Sequence, residues 1–154
     1  MNKEFLIRTA EKLAQPSTAT ASEFSEKAEN LASIINNQFK KRTDLNMLIG
    51  EGNVDMMEDN HRNHVRFLTS VFKQYEPEVL VETVLWVFRA YRSHGFKLTY
   101  WPAQLDVWVE ILKTELSPSA YAEIYPFYDW MIIHNPIFAK VSDELLSSPL
   151  EIKH

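Results

Sequence analysis

Residues 77 to 116, PEVLVETVLWVFRAYRSHGFKLTYWPAQLDVWVEILKTEL, hold the highest apolar density in the chain and three of its four tryptophans, Trp86, Trp101 and Trp108. From Val79 to Tyr91 nearly every position is apolar, and the exceptions Glu82 and Arg89 are seven apart, which places them on one narrow stripe of a helix. This predicts a helix buried on most sides. Trp101, Leu105, Trp108, Leu112 and Leu116 then recur at i, i+4, i+7, i+11 and i+15, one face of a second helix. Between the two lies Ser93-His94-Gly95-Phe96, a break that carries a histidine. The stretch reads as two apolar helices joined by a turn, and it sets the expectation of an all-α fold.

Composition agrees. The chain has 154 residues, 45% of them hydrophobic, which suffices for one well-buried core. A single domain over 1–142 is expected, with a weakly ordered tail over 143–154. Only 3 glycines occur and helix formers dominate, which disfavours a sandwich or barrel. There is no cysteine, so disulfides, thiolate metal sites and cysteine nucleophiles are excluded. A net charge of −5 argues against nucleic acid as a partner, because that affinity rests on clustered Lys and Arg. The one basic cluster, Lys40-Lys41-Arg42, reads as the last turn of a helix. No apolar run approaches the ~18 residues of a membrane span, and MNKEFLIRTAEKLAQ lacks the apolar core of a signal peptide. A soluble, cytoplasmic protein is expected.

Working outward, residues 2 to 15 form an amphipathic helix with Phe5, Leu6, Thr9, Leu13 and Ala14 near one face, ending before Pro16. Ser22 and Ser25 offer N-caps for a helix through Arg42 that carries Phe24, Leu31, Ile34, Ile35 and Phe39. Residues 43 to 53 read as turn chemistry around Met47-Leu48-Ile49. A third helix runs from Val54 to Tyr75 with His61, His64, Val65, Leu68, Val71 and Phe72. Pro77 is then a first-turn residue of the central helix. Thr99 caps the next helix, Pro102 lies in its first turn, and it continues to Leu116. Ser117-Pro118 starts the last helix, with Tyr121, Ile124, Tyr128, Met131 and Ile132. Pro126 is expected to kink it, and Asn135-Pro136 to end or bend it. About six helices result, without repeats or a glycine-rich phosphate loop.

Four constellations carry chemistry. Glu58 and His61 have the i, i+3 relation by which a helix presents a carboxylate and an imidazole to one metal. With His64 they make a candidate metal site in a helical bundle, but a di-iron site needs a second such pair, and the chain has no other E-x-x-H. The same residues also fit a solvated first helical turn. His64 and His94 lie on helices whose antiparallel packing would point both into one apolar cavity. Glu82, Arg89 and Arg92 are either polar pocket lining or an exposed helix edge. Tyr121, Tyr125, Phe127, Tyr128 and Trp130 are an aromatic cluster suited to a core or a dimer interface.

The helix order, the histidine at the end of an apolar helix, and the Trp/Leu-faced helix before an aromatic-rich one resemble the globin fold. Likeness to haem globins implies His94 as axial iron ligand and His64 on the distal side. The run Phe88-Arg89-Ala90-Tyr91-Arg92-Ser93-His94-Gly95-Phe96-Lys97-Leu98, followed by Leu105, Trp108 and Leu112, also resembles the haem-free sensor globin domains of stressosome RsbR-type regulators. That likeness implies a homodimer without catalytic activity or cofactor. A small apolar ligand or a partner would alter its helix packing, with output to a downstream signalling protein. Candidates for lining such a ligand pocket are Phe67, Leu68, Trp86, Tyr91, Trp101 and Trp108. In this reading His94 is a helix-end residue followed by Gly95 as the left-handed cap.

Overall fold

The computed structural model describes residues 2–146. Eight helices occur in that range, α1 (Lys3–Ala10), α2 (Thr18–Lys40), α3 (Leu45–Ile49), α4 (Val54–Lys73), α5 (Pro77–Arg92), α6 (Tyr100–Glu115), α7 (Pro118–Ile133) and α8 (Asn135–Leu146). No strand occurs among the described residues. The all-α expectation holds, while the helix number is eight rather than about six. One of the two extra helices, α3, forms from the apolar triplet within the expected turn. The other, α8, begins where the last helix was expected to end, because Pro136 suits a first helical turn as well as a stop. The chain from Asp143 to Leu146 belongs to α8, and the rest of the expected tail lies outside the described residues.

Three helix starts, those of α1, α2 and α7, are capped by side chains. Asn2 Oδ1 accepts from Phe5 N at 3.0 Å, and the Ser17 and Ser117 hydroxyls accept from Thr20 N and Ala120 N at 3.2 and 3.3 Å. The start of α2 is therefore Thr18, upstream of the expected caps Ser22 and Ser25, and the small residues Thr20 and Ala21 are buried. Thr99 occupies the cap position of α6 without a side-chain cap bond. Pro126 lies inside α7, which continues through it to Ile133.

Packing divides the helices into two groups. α2 lies along α4 and meets α6 and α7, and α6 also packs on α7. α5 packs on α8 and on α1, and α7 meets α8. Trp108, Tyr128, Phe24, Phe39, Phe72 and Phe127 are fully buried. The central helix α5 differs from expectation. It buries Leu80, Val81, Leu85, Phe88 and Tyr91, yet Val79 and Trp86 are 46% and 41% exposed. Apolar density all round a helix does not require burial all round; α5 packs through one face onto α1 and α8.

A second tie joins two turns. Asn53 Nδ2 donates to Ile49 O at 2.7 Å and to His94 O at 2.9 Å, and Lys97 N donates to Leu48 O at 2.8 Å. Gly50 and Gly95 make this approach feasible. Both have positive φ, and a Cβ on Gly50 would lie 3.3 Å from Gly95 O.

α2 and α7 cap each other. The Glu123 carboxylate on α7 accepts from Ser17 N at 2.6 Å and from the Thr20 hydroxyl at 2.8 Å. Glu23 on α2 accepts from Ser117 N and the Ser117 hydroxyl, both at 2.7 Å. These bonds hold the Glu23 carboxyl down at about 2, the backbone N–H of Ser117 contributing most. A carboxyl depressed in the folded state contributes stability that is present above its ordinary range near 4.5 and is lost as pH falls toward 2. Glu23→Gln is therefore expected to destabilise the protein at pH 7 by about 1–2 kcal/mol and by much less near pH 2. Denaturant melts at the two pH values measure this; equal losses at both would show that the charge is not what matters.

Candidate functional site

The apolar face of α4 carries polar residues at core positions. Met57, Asn60, His61, Val65, Leu68, Val71 and Phe72 are its buried residues, so Asn60 and His61 sit where the helical period calls for apolar side chains. α6 repeats the pattern with Gln104 among Tyr100, Trp101, Leu105 and Trp108. Buried polar groups need partners, and these find one another. His61 Nδ1 lies 2.6 Å from Asn36 Oδ1 on α2, and His61 Nε2 lies 3.0 Å from the Tyr100 hydroxyl. The Tyr100 hydroxyl donates to Asn60 Oδ1 at 2.8 Å, which also accepts from Gln104 Nε2 at 2.9 Å.

One hydroxyl proton cannot serve both Asn60 and His61. With Tyr100 donating to Asn60, the His61 ring must offer Nε2–H to the Tyr100 oxygen. Burial pushes His61 down to about 3, so the ring is neutral at pH 7 and its Nδ1 needs a donor. The Asn36 amide supplies one when its NH2 faces the ring, since the two ends of an amide are interchangeable in shape. Donors then converge on Asn60 Oδ1 from Tyr100 on one side and Gln104 on the other, and the network ties α2, α4 and α6 in one register.

Beside this network lies a cavity of about 180 Å³. α4, α6 and α7 wall one side and α5 and α8 the other, so it occupies the seam between the two helix groups. Phe67, Leu68, Trp86, Tyr91 and Trp101 line it, whereas Trp108 does not. Trp108 stacks on His64 instead, with ring centroids 4.7 Å apart and planes at 12°. Further wall comes from Val84, Val87, Phe88, Leu105, Met131 and Phe138. Asn63 and Trp86 are the exposed members of the lining, so the cavity opens between α4 and α5. Its polar members are Asn60, Asn63, His64, Thr83, Gln104 and Asn135, and none carries a formal charge. Burial drives His64 to about 3, and its Nε2 lies 2.7 Å from the Tyr128 hydroxyl.

The remaining candidates fall elsewhere. His94 is exposed in the α5–α6 turn and does not line the cavity; its carbonyl, held by Asn53, is what ties it to the fold. The structure therefore does not bring His64 and His94 together. These residues do not fit a haem, since His94 is outside, His64 is engaged by Tyr128 and Trp108, and the lining offers no cation for porphyrin carboxylates. Glu58 pairs with Lys40 at 2.9 Å, and among the described residues no three His, Asp or Glu side chains are grouped to hold a metal. Glu82 pairs with Lys3 at 2.6 Å, Arg92 with Asp143 at 2.5 Å, and neither they nor Arg89 line the cavity. On α7, Phe127, Tyr128 and Trp130 are buried in the core, while Tyr125 is 37% exposed beside Tyr121. Asn36, Asn60, Gln104 and Asn135 escape motif reasoning; their only sequence signal is a polar residue at a core register position.

A histidine buried neutral binds fewer protons than the unfolded chain below its ordinary value of 6.5. Stability from His61 and His64 is thus complete above pH 6.5 and is lost as pH falls toward 3. The unfolding free energy is expected to fall by up to about 2.7 kcal/mol per pH unit between 6 and 4.5, each ring contributing about 1.4. His64→Phe, which keeps a ring on Trp108, should roughly halve that slope in urea melts across this window. An unchanged slope would mean that His64 takes up a proton in the fold.

No family model matches the chain, and neither a curated protein nor a solved structure does, so the chemistry of the site is read from these residues alone.

Proposed function

We propose that the chain is a haem-free, globin-like sensory module that binds a small apolar ligand in the α4–α5–α6–α7–α8 cavity and carries out no bond chemistry of its own. The observation that carries this reading is the cavity's place in the seam between two packed helix groups. An unfilled space of this size forgoes packing worth up to about 4 kcal/mol, at ~24 cal/mol per Å³. That is a large part of the ~5–15 kcal/mol by which a domain is stable. A ligand returns those contacts.

A ligand changes helix packing only if it binds two packings unequally. In the seam it touches α4 and α6 on one side and α5 and α8 on the other, so its free energy depends on how the groups are spaced. α5 would carry the change outward. Val79 and Trp86, seven residues apart on one stripe of α5, are exposed and supply the apolar surface of a homodimer contact, and Trp86 also forms part of the cavity mouth. The output then passes to a signalling partner through that surface.

Toluene, a little larger than the benzene that an apolar cavity of about 150 Å³ admits, is the probe. Saturating toluene is expected to raise the melting temperature by about 2–5 °C. Val84→Phe, which fills the cavity from α5, should raise the temperature by a similar amount without toluene and remove the response to it. Absence of any response in the wild type would end the ligand reading. Light scattering across a wide concentration range tests the dimer, and a protein that stays monomeric throughout would remove that part.

A further inference from the structure

Asn60 on α4 and Gln104 on α6 are each 3% exposed, and both line the cavity. Each uses only one end of its amide. Asn60 Oδ1 accepts from Gln104 Nε2 at 2.9 Å and from the Tyr100 hydroxyl at 2.8 Å, whereas Asn60 Nδ2 and Gln104 Oε1 have no hydrogen-bond partner among the described residues. Neither free end is sealed in the core, unlike the indole N–H groups of Trp101 and Trp108, and the space they open onto is the cavity. A buried amide ordinarily has partners at both ends. Here one donor and one acceptor stand open side by side in a largely apolar wall. Their separation is bounded by covalent geometry. The O and N of an amide are about 2.3 Å apart, so with the 2.9 Å bond between the two groups the free ends lie at most about 7.5 Å from each other. Turning both amides over exchanges the roles and still leaves one donor and one acceptor.

We infer that the ligand is a neutral carboxamide on a small apolar body, its N–H donated to Gln104 Oε1 and its carbonyl oxygen accepting from Asn60 Nδ2. This deepens the apolar-ligand reading above and rests on it. An amide carries donor and acceptor on separate atoms, and with a hydrogen bond of about 2.9 Å at each it spans points up to about 8 Å apart. That covers every separation the bond between Asn60 and Gln104 allows. A hydroxyl, with both functions on one oxygen, spans no more than about 5.5 Å, and a ketone or ether supplies no donor. The absence of charge in the lining selects against carboxylates and amines, whose burial without an opposite charge is far costlier than that of an amide. A cavity of about 180 Å³ has room for a single ring and one such group, since one of about 150 Å³ admits benzene.

The test compares benzamide, acetophenone, phenol, toluene and benzoate by calorimetry and thermal shift on the full chain. Acetophenone has nearly the shape of benzamide and keeps the carbonyl, but its methyl group cannot donate. Benzamide is expected to bind about tenfold more tightly than acetophenone, to exceed phenol and toluene as well, and to exceed benzoate by on the order of a hundredfold. Gln104→Met keeps the side-chain length and leaves Asn60 Oδ1 its bond from Tyr100, and it should bring benzamide down to the acetophenone level with toluene unchanged. A folded variant that still prefers benzamide tenfold would overturn the Gln104 contact. The comparison within the wild type holds whether or not the variant folds. If acetophenone or phenol binds as tightly as benzamide there, the carboxamide assignment is wrong and the apolar-ligand reading stands. If benzoate binds best, the neutral class is wrong. If none of the five binds, both the inference and the reading beneath it fall.

Discussion

The hydrogen-bonded chain from Asn36 through His61, Tyr100 and Asn60 to Gln104 is the constraint on which the arrangement of α2, α4 and α6 depends. Apolar contacts alone tolerate small slips of one helix along another, because a shifted Leu or Phe still touches something apolar. A buried imidazole with two fixed partners does not. Sliding α4 by one turn, about 5.4 Å, would leave at least four polar groups buried without partners. Aromatic rings then close around this frame, with Phe39 5.3 Å from the His61 ring and Phe96 5.0 Å from the Tyr100 ring.

The rigidity of that frame contrasts with the seam beside it. α5 and α8 face α4 and α6 across the cavity through side chains that line a space, while the Phe88–Trp101 stack at 4.7 Å and the bonds between the α3–α4 and α5–α6 turns bring the two sides into contact. Asn60 and Gln104 belong to both features, since they end the polar chain and line the cavity. Whatever occupies the cavity therefore rests, on one side, against groups whose positions are already fixed.

Periodicity carried most of the fold in the sequence. Pro77 and Pro118 open helices, Ser117 caps one, and the runs on α4 and α6 place their apolar faces correctly, because these signals act within one or two turns. The start of α2 was less legible, since Ser17, Ser22 and Ser25 are equally good caps locally and the choice is made by Glu123, far along the chain. Phe67, Leu68, Trp86, Tyr91 and Trp101 share one cavity because each lies on a helix whose face is set by the period. His94 does not join them, since the direction of a residue in the turn beyond α5 is set by Gly95 and Asn53 rather than by any period. Trp108 was indistinguishable from Trp101 by spacing, and the histidine stacked on it decides the difference.

The mutual capping of α2 and α7 has a consequence for biosynthesis. Ser17 and Glu123 are 106 residues apart, and Glu23 and Ser117 are 94 apart, so these bonds close loops that span most of the chain. A ribosome delivers α2 long before α7, and until then the first turn of α2 has the Ser17 hydroxyl but no Glu123 carboxylate. Contacts of such high sequence separation form late and slow the final folding step. α2 and α4 can pack on each other as soon as both are made, but the first turns of α2 and α7 gain their carboxylate partners only when the C-terminal third has been delivered.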